Sequence, residues 1–415
     1  MKQLAGGYSS RPMQGASASG IGVQLFTDLA AAERVWRSFE PRADSTVFQS
    51  FDWLCEWHNH IDPHANARPV IVVGSDHDGQ VLIILPLAIE SGRFMRRLTW
   101  LGSDLCDYNA PLLAPDFNQR VTVERFRQLW REIVVSIGAQ PQFSFDMVDM
   151  DGMPEAVGGQ RNPMLALPVL PRTYGAHATS LGGDWDAFYA SRRSSVRRSA
   201  ERRQYRRLAD RGEVRFVEVR DRSDIESTMA VLIEQKRASY ERMGVEDLFE
   251  RSGYRDFYRA VALNANLREV VHLSRLDVGA THAAVGLGLQ YKDRFYVVMT
   301  SYQNGELARY GPGRAHLRHM LRHAIERKMK TFDFTIGDEA YKSDWCDRET
   351  RLFVYREAVT ARGRAMVELR TAMSRADLFI CERPRLRRPL SNVRTGAIAL
   401  VQRLRRKTVL ATDQE

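Results

Sequence analysis

The stretch Arg309-Tyr310-Gly311-Pro312-Gly313-Arg314 has the residue types of an anion cradle. Two glycines one residue apart let backbone N–H groups approach a phosphate closely, and a helix opening there adds roughly half a positive charge at its start. Pro312 suits the first turn of that helix, because its missing N–H would have had no helical partner. Arg309 and Arg314 flank the loop and would neutralise further phosphate charge. The plainer alternative is an ordinary strand-to-helix turn, since a lone G-x-G recurs widely.

Two other constellations invite chemistry. His316, His319 and His323 fall at i, i+3 and i+7 of one helix, a spacing that offers ligands to a metal. No carboxylate or cysteine at ligand spacing completes the set, and Arg318 and Arg322 would repel a cation. His58, His60 and His64 straddle a helix end and Pro63, so no metal is expected. The stretch Arg192 to Arg211 holds nine arginines and two acids. It reads either as a solvated face or as an attractor for an anionic substrate or a phosphate backbone. Few aromatic residues interleave, so base stacking is poorly supported.

The elements that must position these groups follow from periodicity. From about 22 to 170 the pattern gives a strand at Val23 to Thr27, a helix at Asp28 to Phe39, and a helix capped by Ser50 with Trp53, Leu54 and Trp57 inward. Strands at Val70 to Gly74 and Val81 to Ile89 flank the hairpin turn Asp76 to Gly79, and a further strand runs near Arg97 to Leu101. A helix near Val121 to Ile137 and a strand near Phe143 to Val148 close the half. A similar order recurs from about 185 to 360. Helices cover Trp185 to Ala209, Ile225 to Arg242 and Tyr254 to Asn266, then strands Val270 to Leu276, Ala283 to Tyr291 and Phe295 to Ser301. The glycine loop, a helix from Arg314 to Met329 and the strand Thr331 to Thr335 complete it. The repetition predicts an α/β (α+β) chain of two tandem domains, mixed sheets flanked by helices, with a cleft between them. The expected boundaries are a flexible tail 1–20, a first half 21–170, a second half 171–360 and a basic helical tail 361–415.

With the strands in place, residues Tyr310-Gly311-Pro312-Gly313, Phe332-Asp333-Phe334-Thr335, Gly337-Asp338-Glu339 with Tyr341-Lys342, and Trp345 resemble the GNAT acyltransferase superfamily. More closely they resemble the CelD-type, cellulose-biosynthesis acetyltransferase-like family, allied to the FemAB transferases of two GNAT-like halves. The likeness extends weakly to Phe48-Gln49-Ser50 and Trp53, and its glycine loop is one residue tighter than the superfamily signature. It implies acyl transfer from acetyl-CoA or another acyl-CoA to an amine or hydroxyl, by direct attack without a covalent enzyme intermediate. Arg309, Gly311, Gly313 and Arg314 would then hold the coenzyme A pyrophosphate, and backbone N–H groups where Phe295 to Ser301 splays from its neighbour would polarise the thioester. Asp338 follows Gly337 at a strand end and is the expected base. Tyr341 is the expected proton donor to the thiolate, and Lys342 the holder of an anionic group, against the alternative of an Asp338–Lys342 ion pair fixing a loop. The first half has no glycine in Pro111 to Phe117, and Asp116 there would repel phosphate. Only the second half should bind the donor, with Asp107, Tyr108 and Asn109 weaker candidates on the acceptor side.

Composition excludes several classes. Of 415 residues 44% are hydrophobic and 27% charged, which rules out global disorder. The longest apolar run, Val81 to Ile89, contains Pro86 and falls far short of the ~20 residues a spanning helix needs. Cys55, Cys106, Cys346 and Cys381 are scattered, so neither a zinc knuckle nor a disulfide framework is indicated. The net charge of +10 is concentrated after residue 361, where thirteen basic residues face five acidic ones. Arg383 to Arg388 and Arg403 to Lys407 read either as a basic amphipathic surface resting on an anionic membrane or as a disordered solubilising tail. A cytoplasmic acyltransferase acting on a small-molecule or glycan-precursor acceptor is the reading. An aminoacyl-tRNA-dependent FemAB-like transferase and a non-catalytic GNAT scaffold are its alternatives.

Overall fold

Each half of the chain builds the same succession of five strands, and each fills the sixth place with a strand that comes later in the chain than the other half's fifth. The structure is a computed structural model that describes residues 19–337, 339 and 341–381. The N-terminal tail through residue 18 and the basic segment from 382, with the arginine clusters assigned to membrane contact, lie outside the described residues.

In the first sheet, Gly22–Phe26, Ala67–Ser75, Val81–Ser91 and Arg96–Trp100 are antiparallel neighbours, and Met147–Pro154 lies parallel to Arg96–Trp100. In the second, Val214–Glu218, Val271–Val278, Thr281–Tyr291 and Arg294–Tyr302 are antiparallel, and Thr331–Ile336 lies parallel to Arg294–Tyr302. A parallel pair needs a crossover. The helices Val123–Gly138 and Pro312–Glu326 provide it, each burying a 3–4-spaced apolar face. Leu352–Ala358 then pairs with Met147–Pro154, and Ala176–Ser180 with Thr331–Ile336. The boundary drawn at 360 therefore needs correction, because Leu352–Ala358 belongs to the first sheet. The strands Ala176–Ser180, Val214–Glu218 and Leu352–Ala358 were not anticipated, since each is short and finds its partner far along the chain.

The turn Asp76 to Gly79 forms as expected, with Asp76 Oδ1 accepting from Asp78 and Gln80 N–H. Ser50 stands at the extended position before Phe51–His60, yet its hydroxyl makes no capping bond. The helix expected over Trp185 to Ala209 is broken into Trp185–Arg192 and Ser195–Ala209, the second capped by Ser194. Beyond the sheets, Ala361–Cys381 is a helix packed on the first sheet, with Arg362 bonded to Asp146 at 2.6 Å and Arg356 to Ser374 at 2.9 Å. That part of the tail is integral to the fold. Among the described residues, no helix is long and apolar enough to cross a membrane.

One apolar core runs through both halves. Phe48 packs edge-on against Tyr296, and Trp53 against Phe257, so the FQS segment and Trp53 sit on the seam. Gln49 donates to the Tyr108 carbonyl at 2.6 Å and fixes the loop that carries Asp107.

Candidate active site

The strands Arg294–Tyr302 and Thr331–Ile336 pair only at their starts, from Arg294–Thr331 to Tyr296–Asp333. Past that point Arg294–Tyr302 stays bonded to Thr281–Tyr291 on one side, and no described strand pairs with it on the other. Its register slips between Leu287 and Gly288, leaving Val298 as an extra, bulged residue. Thr335, at the parting of the strands, has φ +58, a conformation that a β-branched residue adopts only under constraint. The constraint is visible: its N–H donates to Asp333 Oδ1 at 2.8 Å and its hydroxyl to the Val297 carbonyl at 3.1 Å.

Facing this opening, Gly311 takes φ +65 and ψ 51 at the start of Pro312–Glu326. No backbone carbonyl among the described residues accepts from Gly313 or Arg314 N–H, since Ala315 is the first to bond back, to Gly311. In the first half the equivalent helix is closed off by its own Thr122, whose hydroxyl accepts from Arg125 N–H. The second helix start has glycine where the first has the capping threonine, and it leaves its Gly313 and Arg314 amides available for an anion. Asp116 precedes the short helix Phe117–Arg120 instead.

A cavity of about 490 Å³ joins these parts. Thr300, Ser301 and Tyr302 from the strand end that is paired on one edge only, Gly311, Gly313 and Arg314 from the loop, and Tyr341 all line it. Arg309 is not in the lining; it is exposed and lies over the Tyr310 ring at 5.0 Å. Asp338 lies outside the described residues. Burial pushes the Tyr341 phenol well above its ordinary value, so it keeps its proton. Lys342 is buried, its ammonium 2.6 Å from the Ile336 carbonyl, 3.4 Å from that of Thr335 and 2.9 Å from Glu339. It caps the end of the Thr331–Ile336 strand, with its donors engaged there.

The first half delivers Asp107 to the same strand end. Burial raises its carboxyl to about 7, against a bond to Thr335 and the charge of Lys342, while Asp333 and Glu339 push it further up. Lys236 approaches from the helix Arg222–Met243; burial lowers its ammonium below the ordinary lysine range, opposed by Glu339. Of the other acceptor-side candidates, Tyr108 donates to Asp333, and Asn109 bonds the Ser103 and Asp151 carbonyls of its own half. His316 also lines the cavity, 3.0 Å from Ser274 Oγ and held neutral by burial, its pKa near 3. Nothing in the spacing along the chain signals Lys236 as a neighbour of this site, whereas His316 follows Gly313 by one helical turn.

The arginine-rich helix Ser195–Ala209 lies beside the loop. Gln204 donates to the Arg309 carbonyl, and Arg211 bonds the Tyr310 hydroxyl at 2.8 Å. Arg193 and Arg197 are spent on Asp344, with Arg193 also stacked 3.9 Å over Trp345. Arg203, Arg206 and Arg207 are exposed and form no ion pair among the described residues.

Residues 194–343 match the family described as an acetyltransferase (GNAT) domain. That stretch is thus similar to a GNAT acetyltransferase domain, and it lies in the second of two halves that repeat one strand order. Among solved structures, FemX superposes with a TM-score of 0.53 at 12% identity, covering 83% of this chain and 98% of that one. A conserved protein of unknown function from Bacteroides thetaiotaomicron VPI-5482 gives 0.51 at 11% identity, covering 80% and 98%. No curated protein sequence matches.

Proposed function

We propose that this protein transfers an acyl group, acetyl in the simplest case, from acyl-CoA to an amine or hydroxyl of a small-molecule or glycan-precursor acceptor. The observation that carries the reading is the cavity in which uncapped helix amides, a strand end paired on one edge only and Tyr341 meet. The Gly313 and Arg314 amides and the Arg314 guanidinium would take the pyrophosphate. Strand N–H groups would polarise the thioester carbonyl, and Tyr341 would protonate the departing thiolate. A CelD-like role in polysaccharide or cell-envelope synthesis, at the cytoplasmic face of a membrane touched by the basic tail, is part of the proposal. Titration calorimetry with coenzyme A tests it: saturable micromolar binding supports the reading, and no heat refutes it.

Asp107 is the described group best suited to accept the proton, because its carboxyl titrates near 7 beside the parted strands. A base works deprotonated, so kcat/KM should rise with pH through about 7. Asp107→Asn should flatten that limb and cost about 10²–10⁴-fold in rate. A limb that survives in Asp107→Asn and disappears in Asp338→Asn would give the role to Asp338.

The exposed Arg203, Arg206 and Arg207 beside the loop favour a second reading, transfer of an amino acid from charged tRNA. Binding that requires tRNA, falls steeply with salt and is indifferent to coenzyme A would select it.

A further inference from the structure

The three histidines of Pro312–Glu326 part company in the fold. His316 is engaged by Ser274, and His319 stacks on Phe216 with ring centroids 5.3 Å apart. His323, in the last turn, instead meets His272 of Val271–Val278, with centroids 4.4 Å apart, and Glu218 at the end of Val214–Glu218. One donor atom from each of the three lies within 4.8 Å of the other two. The expectation of no metal rested on the want of a carboxylate at ligand spacing along the helix; the fold brings one in from a remote strand.

The buried histidines are short of partners. His272 is fully buried, and among the described residues neither of its ring nitrogens finds a hydrogen bond. His323 Nε2 is likewise buried and unbonded. His272 Nδ1 stands 3.8 Å from Glu218 Oε1, too far for a hydrogen bond. Unpaired buried nitrogens converging beside a carboxylate are the arrangement that a cation relieves. Burial also keeps both imidazoles neutral, His323 with its pKa lowered to about 4, which is the ligating form. Arg220 and Arg327 bond the same carboxylate and would compete with the ion for it.

We propose that Glu218, His272 and His323 bind a first-row divalent transition cation, zinc by the chemistry of two imidazoles and one carboxylate. The ion takes one donor from each residue and water in a fourth position. It ties two adjacent strands to the end of the helix opposite Gly311, so its role is structural, bracing the helix that presents the phosphate-facing amides.

The test uses untagged full-length protein stripped with EDTA and titrated with zinc chloride, followed by calorimetry and thermal melts. One zinc per chain and a raised Tm are expected. Glu218→Gln and His323→Gln should each weaken zinc at least tenfold and erase the shift, while His319→Gln should retain both. Equal affinity in wild type and both variants, or loss in His319→Gln, would overturn the proposal. Should the variants not fold, cobalt(II) chloride added to wild type decides: intense tetrahedral d–d bands support the site, and the spectrum of the free ion alone overturns it.

Discussion

Gly313→Trp is expected to remove measurable coenzyme A binding while leaving the fold intact. A Cβ at Gly313 would stand 3.2 Å from Tyr302 Cδ1, in the ring of an exposed side chain that can shift by the few tenths of an ångström required, and it meets no backbone atom that closely. The indole would then fill the space between the loop and the strand end, where Gly313 and Tyr302 both line the cavity. Gly311 is the poorer choice, because φ +65 would strain any replacement and confound folding with binding. A weakening of at least about 100-fold, equivalent to about 2.7 kcal/mol, is the expected size. Calorimetry with coenzyme A, with a thermal melt alongside, measures it. Wild-type affinity in a folded Gly313→Trp would mean that the donor lies elsewhere.

The largest stability loss should come from Asp333→Ala. This carboxylate is fully buried and accepts from Tyr108 Oη at 2.9 and 3.1 Å, Arg294 Nη1 at 2.7 Å and Thr335 N–H at 2.8 Å. Its removal leaves a tyrosine hydroxyl and a guanidinium unmatched at the seam between the halves. Breaking a buried pair by deleting one partner costs about 3–5 kcal/mol, and because the Arg294 side chain keeps about a third of its exposure, the lower end applies. Tyr108→Phe deletes one donor and should cost about 1 kcal/mol. Urea unfolding of both variants checks the ranking. An Asp333→Ala protein as stable as wild type would show that the seam is held by the aromatic contacts of Phe48 and Trp53 alone.

Much of the site was legible because it is local. Gly311, Pro312 and Gly313 lie within three positions, and a helix start needs only its own residues to expose its amides. The strand that feeds the loop and the strand that follows its helix are marked by their own apolar runs, so the parallel pair and its crossover could be anticipated. Asp107 is different. Its titration near neutrality depends on burial against Thr335, Asp333 and Lys342, none of which is near it in the chain. The same holds for Lys342, which as a sequence position beside Asp338 reads as a substrate anchor but in the fold caps two strand carbonyls.

Sequence by itself determined the period of the longer elements, the duplication and the glycine-bearing helix start, because backbone preferences and side-chain periodicity act over a few residues. Tertiary structure alone decided which sheet receives Leu352–Ala358, that Asp107 crosses to the second half's strand end, and that Glu218 and His272 gather around His323. Strand partners and buried charges are selected by desolvation and hydrogen bonding between segments far apart in the chain, and no local pattern encodes them.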